Sequence, residues 1–359
     1  MEAENKPHSQ PPPSWSDLPL DLAGLVLRLL PGYADRARFA AVCPQWRAAA
    51  RQQLRTPSLP LLVLPDGTFY SLPYEEPFCF PGCGFAGYKS ACGSWLVFPR
   101  DDGCFLVNPF SRATMTLPPL SSVRLRPPRA LSWSVRACDK CRDFEDMIFY
   151  QGKLYVLTDN ENLLVVNISN DQGTGDPQVS RIGRVIKGNG ERCYMGGLRL
   201  YHVMQDENSM PVMPLKKIYL VESRGALLMV CRKIWCQVPE PKPGVRGKVV
   251  AGQNKFEVFE ADFEHSRWIK VSDVGDDQVL FLGRRCSRAV SVSRYGLLGN
   301  RIFFLDDDDE YRIDYYYNEE NTSCSAYDMR LGSVSSPHPM ISWKRRIETR
   351  LAAWLFPQD

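Results

Sequence analysis

Residues 15–54 read WSDLPLDLAGLVLRLLPGYADRARFAAVCPQWRAAARQQL, a run in which apolar residues recur at helical spacing between proline-containing breaks. Four leucines follow one another at intervals of four, three and four residues and so form one stripe along a helix: Leu18, Leu22, Leu25 and Leu29. Pro31-Gly32 ends this helix, a second helix begins near Asp35, and Pro44 begins a third. Residues 14–55 are therefore predicted to form a small three-helix module.

This module has more apolar helix surface than three short helices can cover among themselves. Val26, Leu27 and Leu30 widen the apolar side of the first helix beyond the leucine stripe. A chain of roughly 40 residues buries only part of its surface, so either the next domain or another protein is expected to cover the rest. Each buried leucine contributes roughly 1.5–3 kcal/mol, so a few of them suffice for a specific interface.

Beyond residue 58 the pattern changes to short apolar segments joined by polar turns. Five hairpins are predicted: 94–98 with 104–108, 153–157 with 163–166, 217–221 with 226–230, 256–259 with 268–271, and 301–305 with 311–313. Antiparallel strands that repeat at roughly 45–60 residues are typical of β-propeller blades, and about 300 residues hold roughly six blades, give or take one. A pair of packed sheets is the competing architecture. The C-terminal residues 352–356 offer a partner strand for residues 61–64.

The fold class expected from these patterns is α+β and multidomain. Residues 1–13 are polar and proline-rich and are predicted to be disordered. They precede the three-helix module, and an all-β, propeller-like domain occupies 58–359.

Composition and charge exclude several classes of protein. The 359 residues carry 44 Lys and Arg against 41 Asp and Glu, a net charge of +3, which argues against a dedicated nucleic-acid-binding protein. The longest apolar runs fall short of the roughly 20 residues that cross a membrane, and the N-terminus lacks the features of a secretory signal. We therefore expect no membrane or nucleic-acid partner and an intracellular location, in the cytoplasm or the nucleus.

The sequence offers little support for catalytic, metal or cofactor chemistry. Cys138 and Cys141 form a C-x-x-C pair, but a structural zinc site needs a second pair or well-spaced histidines, and the chain has only four histidines. The sequence contains no G-x-x-x-x-G-K-[ST] loop, no G-x-G-x-x-G after a strand, no G-x-S-x-G nucleophile elbow and no H-E-x-x-H zinc motif. The prediction is a non-enzymatic protein without metal or cofactor.

The helical module resembles the F-box. A leading Leu-Pro, an apolar central helix and a closing Val-Cys-x-x-Trp-Arg follow one another here in about 40 residues, as in that family. The resemblance implies docking onto a Skp-type adaptor and, through it, a cullin, in an SCF ubiquitin ligase. The adaptor-binding residues that it implies are Leu18, Pro19, Leu22, Leu25, Val26, Leu29, Phe39, Val42, Cys43 and Trp46. Spacing alone leaves open which side of each helix faces the adaptor, and Gly24 in the first helix costs roughly 1 kcal/mol relative to alanine.

The β region resembles the plant F-box-associated domain of unknown function 295, the KIB-type β-propeller. The resemblance rests on strings such as Asn-Pro-Phe-Ser-Arg at 108–112 and Leu-Pro-Pro-Leu at 117–120, taken together with their order along the chain. It implies a substrate receptor that recruits a protein target for ubiquitination, without indicating the target or the residues that bind it. Two alternatives stay open: an adaptor-independent binding protein whose helices pack on its own propeller, and a propeller hydrolase.

Overall fold

The fold is taken from a computed structural model, which describes fourteen parts of the chain. The described residues are 15–30, 32–52, 59–72, 77–80, 84–117, 144–170, 177–188, 212–237, 250–283, 286–293, 297–305, 321–335, 342–344 and 352–357. Residues 1–13, on which disorder was predicted, and the Cys138 and Cys141 pair lie outside them.

Three helices open the described chain, as the sequence predicts. A 3-10 turn at Trp15–Asp17 precedes α1 (Leu20–Leu29), and α2 (Tyr33–Val42) and α3 (Pro44–Gln52) follow. Pro19 lies at the N-cap position of α1, and Pro44 is the first residue of α3, where proline loses no helical hydrogen bond. The three-helix prediction is confirmed.

The regular structure in the remaining described residues consists of strands, which form five sheets. Those of the first sheet are β1 (Leu61–Val63), β2 (Phe69–Ser71) and β3 (Pro77–Phe78). Those of the second are β4 (Ser90–Cys92), β5 (Trp95–Arg100), β6 (Gly103–Val107) and β7 (Thr114–Thr116). Those of the third are β8 (Phe144–Tyr150), β9 (Lys153–Thr158), β10 (Leu163–Asn170) and β11 (Pro177–Ile186). Those of the fourth are β12 (Val212–Ser223), β13 (Ala226–Gln237), β14 (Val250–Asp262) and β15 (Arg267–Val271). Those of the fifth are β16 (Gln278–Leu282), β17 (Arg288–Ser291), β18 (Arg301–Leu305), β19 (Asn321–Asp328), β20 (Ser333–Ser335) and β21 (Ser342–Lys344), and β22 (Ala353–Leu355) follows.

The last strand returns to the first sheet. β22 pairs antiparallel with β1, so that Leu61 lies opposite Leu355 and Val63 lies opposite Ala353, and the sheet order is β22-β1-β2-β3. The predicted pairing of the C-terminal segment with an early strand is confirmed. Strands from the two ends of the β region therefore share one sheet.

Apolar clusters join the sheets side by side. Within the described residues they connect sheets 2 and 1, 1 and 5, 5 and 4, and 4 and 3. Representative members, one pair for each junction in that order, are Leu96 with Phe69, Phe281 with Trp354, Phe304 with Phe256, and Leu163 with Ile218. Successive small sheets that pack on one another in this way are the blades of a propeller, which confirms the predicted fold and replaces the two-sheet alternative. The described residues form five blades, where roughly six were expected.

Four of the five predicted hairpins pair as expected, as β5–β6, β9–β10, β12–β13 and β14–β15. In the fifth blade, β18 instead pairs with β19, with Leu305 opposite Cys324, while residues 311–313 lie outside the described parts. β18 also runs parallel to β16. It lies on one side of β16, while β17 lies on the other side. Local turn signals do not reveal such a parallel pairing, since it connects strands that are separated along the chain.

A buried arginine links blades 4 and 5. Arg232 on β13 donates from Nε to Asn254 Oδ1 (2.7 Å) and from Nη1 to the Leu305 carbonyl (3.0 Å). Its guanidinium also stacks over the Phe304 ring, 4.2 Å from the ring centroid. Because a buried cation is costly unless its N–H groups are satisfied, this arrangement holds the two blades in one register.

Asp146 on β8 makes the stability of the blade 3–blade 4 junction depend on pH. Leu220 N–H donates to its Oδ2 and Met147 N–H donates to its Oδ1, both at 2.8 Å. Burial outweighs these hydrogen bonds and raises the pKa of the Asp146 carboxyl to about 6. An unfolded aspartate has a pKa of about 3.9. The folded protein therefore binds this proton more tightly, so this carboxyl makes the protein more stable as the pH falls from about 6 to about 4.

We expect Asp146→Asn to remove this pH dependence. At pH 7.5 the variant avoids roughly 3 kcal/mol of buried-charge cost but keeps only one of the two acceptor oxygens, which costs about 1 kcal/mol or more, so it should be more stable than the wild type by about 1–2 kcal/mol. That advantage should shrink at pH 4.5, where the wild-type carboxyl is protonated. Thermal unfolding at both pH values measures the effect, and Asp101→Asn in the exposed β5–β6 turn is the matched control. An unchanged difference between wild type and Asp146→Asn across this range would contradict the prediction.

Candidate functional site

The inner face of α1 closes the core of the helical module, residues 15–52. Ala23, Gly24 and Leu27 are buried on this face, and Ala23 and Leu27 pack with Phe39 and Ala49 from the other two helices. Small residues at 23 and 24 allow α1 to approach the other helices closely. Gly24 thus lies on the inward side of α1, away from the exposed leucines.

The outer face of α1 is apolar and exposed. We define it by four residues at helical spacing: Leu22, Leu25, Val26 and Leu29. Each exposes at least 41% of its surface, and Leu29 exposes 72%, whereas Leu27 on the inner face exposes 3%. The helix is therefore apolar on both sides, and the propeller does not cover the outer side. A contiguous exposed apolar face of this kind is a candidate interaction surface.

The Leu18-Pro19 segment is held against α3. The Trp46 indole N–H donates to the Trp15 carbonyl at 3.2 Å, which fixes the turn that leads into α1. Leu18 is half-buried against the module core, while Pro19 is exposed and accepts a hydrogen bond from Ala23 N–H at 2.9 Å. Pro19 therefore lies at the exposed N-terminal end of α1.

The remaining residues of the predicted adaptor-binding set lie around the turn between α2 and α3 and differ in how exposed they are. Phe39 is buried and stacks on the half-buried Trp46, with ring centroids 4.4 Å apart. Trp46 N–H donates to Cys43 Sγ at 3.4 Å, so the cysteine caps the start of α3. Val42 exposes 58% of its surface. Phe39, Cys43 and Trp46 thus have structural contacts within the module, and Val42 is available to a partner.

The structure answers which helix sides are accessible, a question that spacing leaves open. The accessible members of the predicted set are Pro19, Leu22, Leu25, Val26, Leu29 and Val42. Two further exposed apolar side chains, Trp15 and Leu20, are missing from the predicted set. Their positions immediately before and within the apolar run are the sequence signal for them. Adaptor binding by all of these residues remains a prediction.

The helical module contacts the propeller through the start of α2. The Tyr33 ring packs against Phe78 on β3, and Ala34 N–H donates to Ser71 Oγ at 3.3 Å. This contact uses a different helix from the one that carries the exposed leucines. The module can therefore rest on the propeller and still present the outer face of α1.

Two further properties concern the described parts of the chain alone. No three His, Cys, Asp or Glu side chains among these residues are close enough to bind a metal ion. No helix within the same residues has both the length and the apolar character that a membrane span requires.

Comparison with known families agrees with this geometry. Residues 15–57 match the F-box domain model, and residues 61–129 and 123–328 match the model of the KIB1-4 beta-propeller. The fold and the exposed helix together define an F-box protein with a β-propeller. More particularly, the chain belongs to the KIB1-4 beta-propeller family, since that model matches well over half of its residues.

Curated relatives from Arabidopsis thaliana show a similar relationship over shorter regions. "F-box protein At1g10110" is 31% identical over 116 residues, which cover 30% of this chain and 29% of the relative. "Putative F-box protein At4g22660" is 30% identical over 133 residues, which cover 32% of this chain and 33% of the relative. The chain thus spans about a third of the length of the curated relatives it matches. The predicted resemblance to plant F-box proteins with a KIB-type propeller is confirmed.

Proposed function

We propose that this protein is the substrate-receptor subunit of an SCF-type ubiquitin ligase. The helical module binds a Skp-type adaptor and, through it, a cullin, and the propeller recruits a protein target. The observation that carries this proposal is the exposed outer face of α1, because it stays open although the module has a closed core of its own. The family matches support the same conclusion, since F-box and propeller occur here in one chain.

The apolar character of the outer face suits a stable partner. A partner that covers Leu22, Leu25, Val26 and Leu29 removes four large side chains from water, and each contributes roughly 1.5–3 kcal/mol when fully buried. Part of this gain offsets the entropy lost on association.

In this role the protein acts by proximity and needs no catalytic residue of its own. A receptor that holds a target beside a charged conjugating enzyme raises the effective concentration of the reacting groups. The protein is then a non-catalytic subunit without metal or cofactor, and it works inside the cell, in the cytoplasm or the nucleus. This assignment is preferred over a propeller hydrolase, which would require a set of ligands or nucleophiles.

Binding to a purified Skp-type adaptor tests the proposal. We expect the full chain to form a 1:1 complex with a dissociation constant of about 1 μM or tighter, the range of a stable interface. Calorimetry measures the affinity, and gel filtration with light scattering measures the stoichiometry. Folded protein that shows no binding at adaptor concentrations of about 50 μM would overturn the proposal and favour the adaptor-independent alternative.

A further inference from the structure

The contact between the helical module and the propeller is built around one inserted aromatic ring. Tyr33, the first residue of α2, packs among three phenylalanines, which we call the Tyr33 socket: Phe78, Phe80 and Phe110. The distances between the Tyr33 ring centroid and theirs are 6.5, 5.8 and 5.1 Å respectively. Phe78 lies on β3 of blade 1, while Phe110 lies in the β6–β7 turn of blade 2. Tyr33 therefore contacts two neighbouring blades at once.

The backbone beside Tyr33 also approaches the propeller closely. Ala34 N–H donates to Ser71 Oγ, and a Cβ added to Gly32 would lie 2.9 Å from that same oxygen and 3.3 Å from the Leu72 carbonyl oxygen. Gly32 has a φ of −86°, which any residue can adopt. A side chain at this position would therefore displace Ser71 Oγ and crowd the Leu72 carbonyl, because the α2 N-terminus and blade 1 are in direct contact.

The socket is itself held firmly. Asn108 is 9% exposed; its side chain donates to Ser94 Oγ at 3.0 Å and accepts from Phe110 N–H at 2.9 Å and Ser111 N–H at 3.0 Å. On the blade 1 side, Phe80 packs edge-to-face on the fully buried Phe69, with centroids 4.8 Å apart. The Asn-Pro-Phe-Ser-Arg string at 108–112 thus has a local role, because its asparagine orients the turn that places Phe110 against Tyr33.

We propose that the Tyr33 socket is a rigid joint that fixes the direction of the helical module relative to the propeller. The chain connects the two only from the end of α3 to residue 59, and a single covalent connection would allow the module to swivel. A second attachment at the start of α2 removes that freedom. Tyr33 is in this sense a positioning residue. What this fixed direction is for rests on the proposed function. The rigid joint would set the position of a recruited target relative to the adaptor and the conjugating enzyme.

Distance distributions in the free protein test the joint directly. Spectroscopic labels are introduced through non-natural amino acids at Arg51 on α3 and Lys153 at the start of β9, both of which are exposed. We expect a narrow distribution for the wild type and for Tyr33→Phe, which keeps the ring. Tyr33→Ala should broaden the distribution at least about twofold, because the socket loses its insert. The proposal would be overturned if the distribution for Tyr33→Ala were as narrow as that of the wild type. It would also be overturned if Tyr33→Phe broadened the distribution as much as Tyr33→Ala does.

Two further variants keep the test valid if Tyr33→Ala disturbs the module. Phe110→Ala changes only the propeller side and should give the same broadening, so a narrow distribution in that variant also counts against the joint. Gly32→Val should shift the mean distance, because its side chain would meet Ser71 and Leu72; an unchanged mean would contradict the close contact. These measurements need no adaptor. If the wild type fails to bind the adaptor while the variants show the expected broadening, the proposed function is disproved and the proposal of a rigid joint still holds.

Discussion

Replacing Leu25 and Leu29 together by aspartate is expected to abolish binding to a Skp-type adaptor while the protein stays folded. Both side chains lie on the outer face of α1 and are more than half exposed, so neither contributes much to the module core. In the complex their exposed parts would be buried, and the variant would lose roughly 2–4 kcal/mol of apolar burial, besides the cost of desolvating two carboxylates. This corresponds to a loss in affinity of more than about 100-fold. Calorimetric titration measures the affinity, and thermal unfolding measures the fold.

Leu27→Asp is the matched contrast on the same helix. Leu27 is 3% exposed and packs on Phe39 and Ala49, so the same chemical change at this position should unfold the module as well as abolish binding. Loss of helical signal in the Leu25/Leu29 variant would mean that these residues stabilise the fold. Unchanged affinity in that variant, with an intact fold, would exclude the outer face as the adaptor site.

This pair of variants also shows what the sequence can predict of the site. The leucine spacing predicts a helix and an apolar stripe, and both are present. It does not predict which side of the helix is buried, because large apolar residues occur on both sides. The deciding residues are small: Ala23 and Gly24 allow close helix packing and so turn Leu27 inward and Leu25 outward. Hydrophobicity alone gives little weight to residues of this size.

The propeller shows a similar division. Local hairpins are predictable because the apolar strands and the polar turn between them are continuous in sequence. The parallel pairing of β16 with β18 is not, since β17 separates these two strands along the chain. The same holds for Tyr33, whose contacts on two blades are distant in sequence and follow no spacing rule. The pairing of β22 with β1 is predictable, because these two apolar segments lie at opposite ends of the β region, which a closed propeller brings together.

Trp354→Ala is expected to be the most destabilising single truncation in the propeller. Trp354 lies on β22, is fully buried, and packs edge-to-face on Phe281 of blade 5 at 5.0 Å between centroids. Its indole N–H also donates to the Leu282 carbonyl at 2.9 Å. Truncating a buried tryptophan costs about 3–5 kcal/mol, and the carbonyl left without a partner adds about 1 kcal/mol or more. Trp354 joins β22, which pairs with β1 in blade 1, to blade 5. Its loss therefore weakens the closure of the propeller.

Thermal and urea unfolding measure this effect, with Trp15→Ala as the matched control. Trp15 is 78% exposed, so the same truncation there should change the free energy of unfolding by less than about 0.5 kcal/mol. For Trp354→Ala we expect a fall in Tm of roughly 10 °C. Trp354→Phe should fall between the two, because it keeps one aromatic ring in the core but loses the N–H donor and part of the buried volume. Equal Tm values for Trp354→Ala and Trp15→Ala would show that the Trp354 side chain is not needed to hold blades 1 and 5 together.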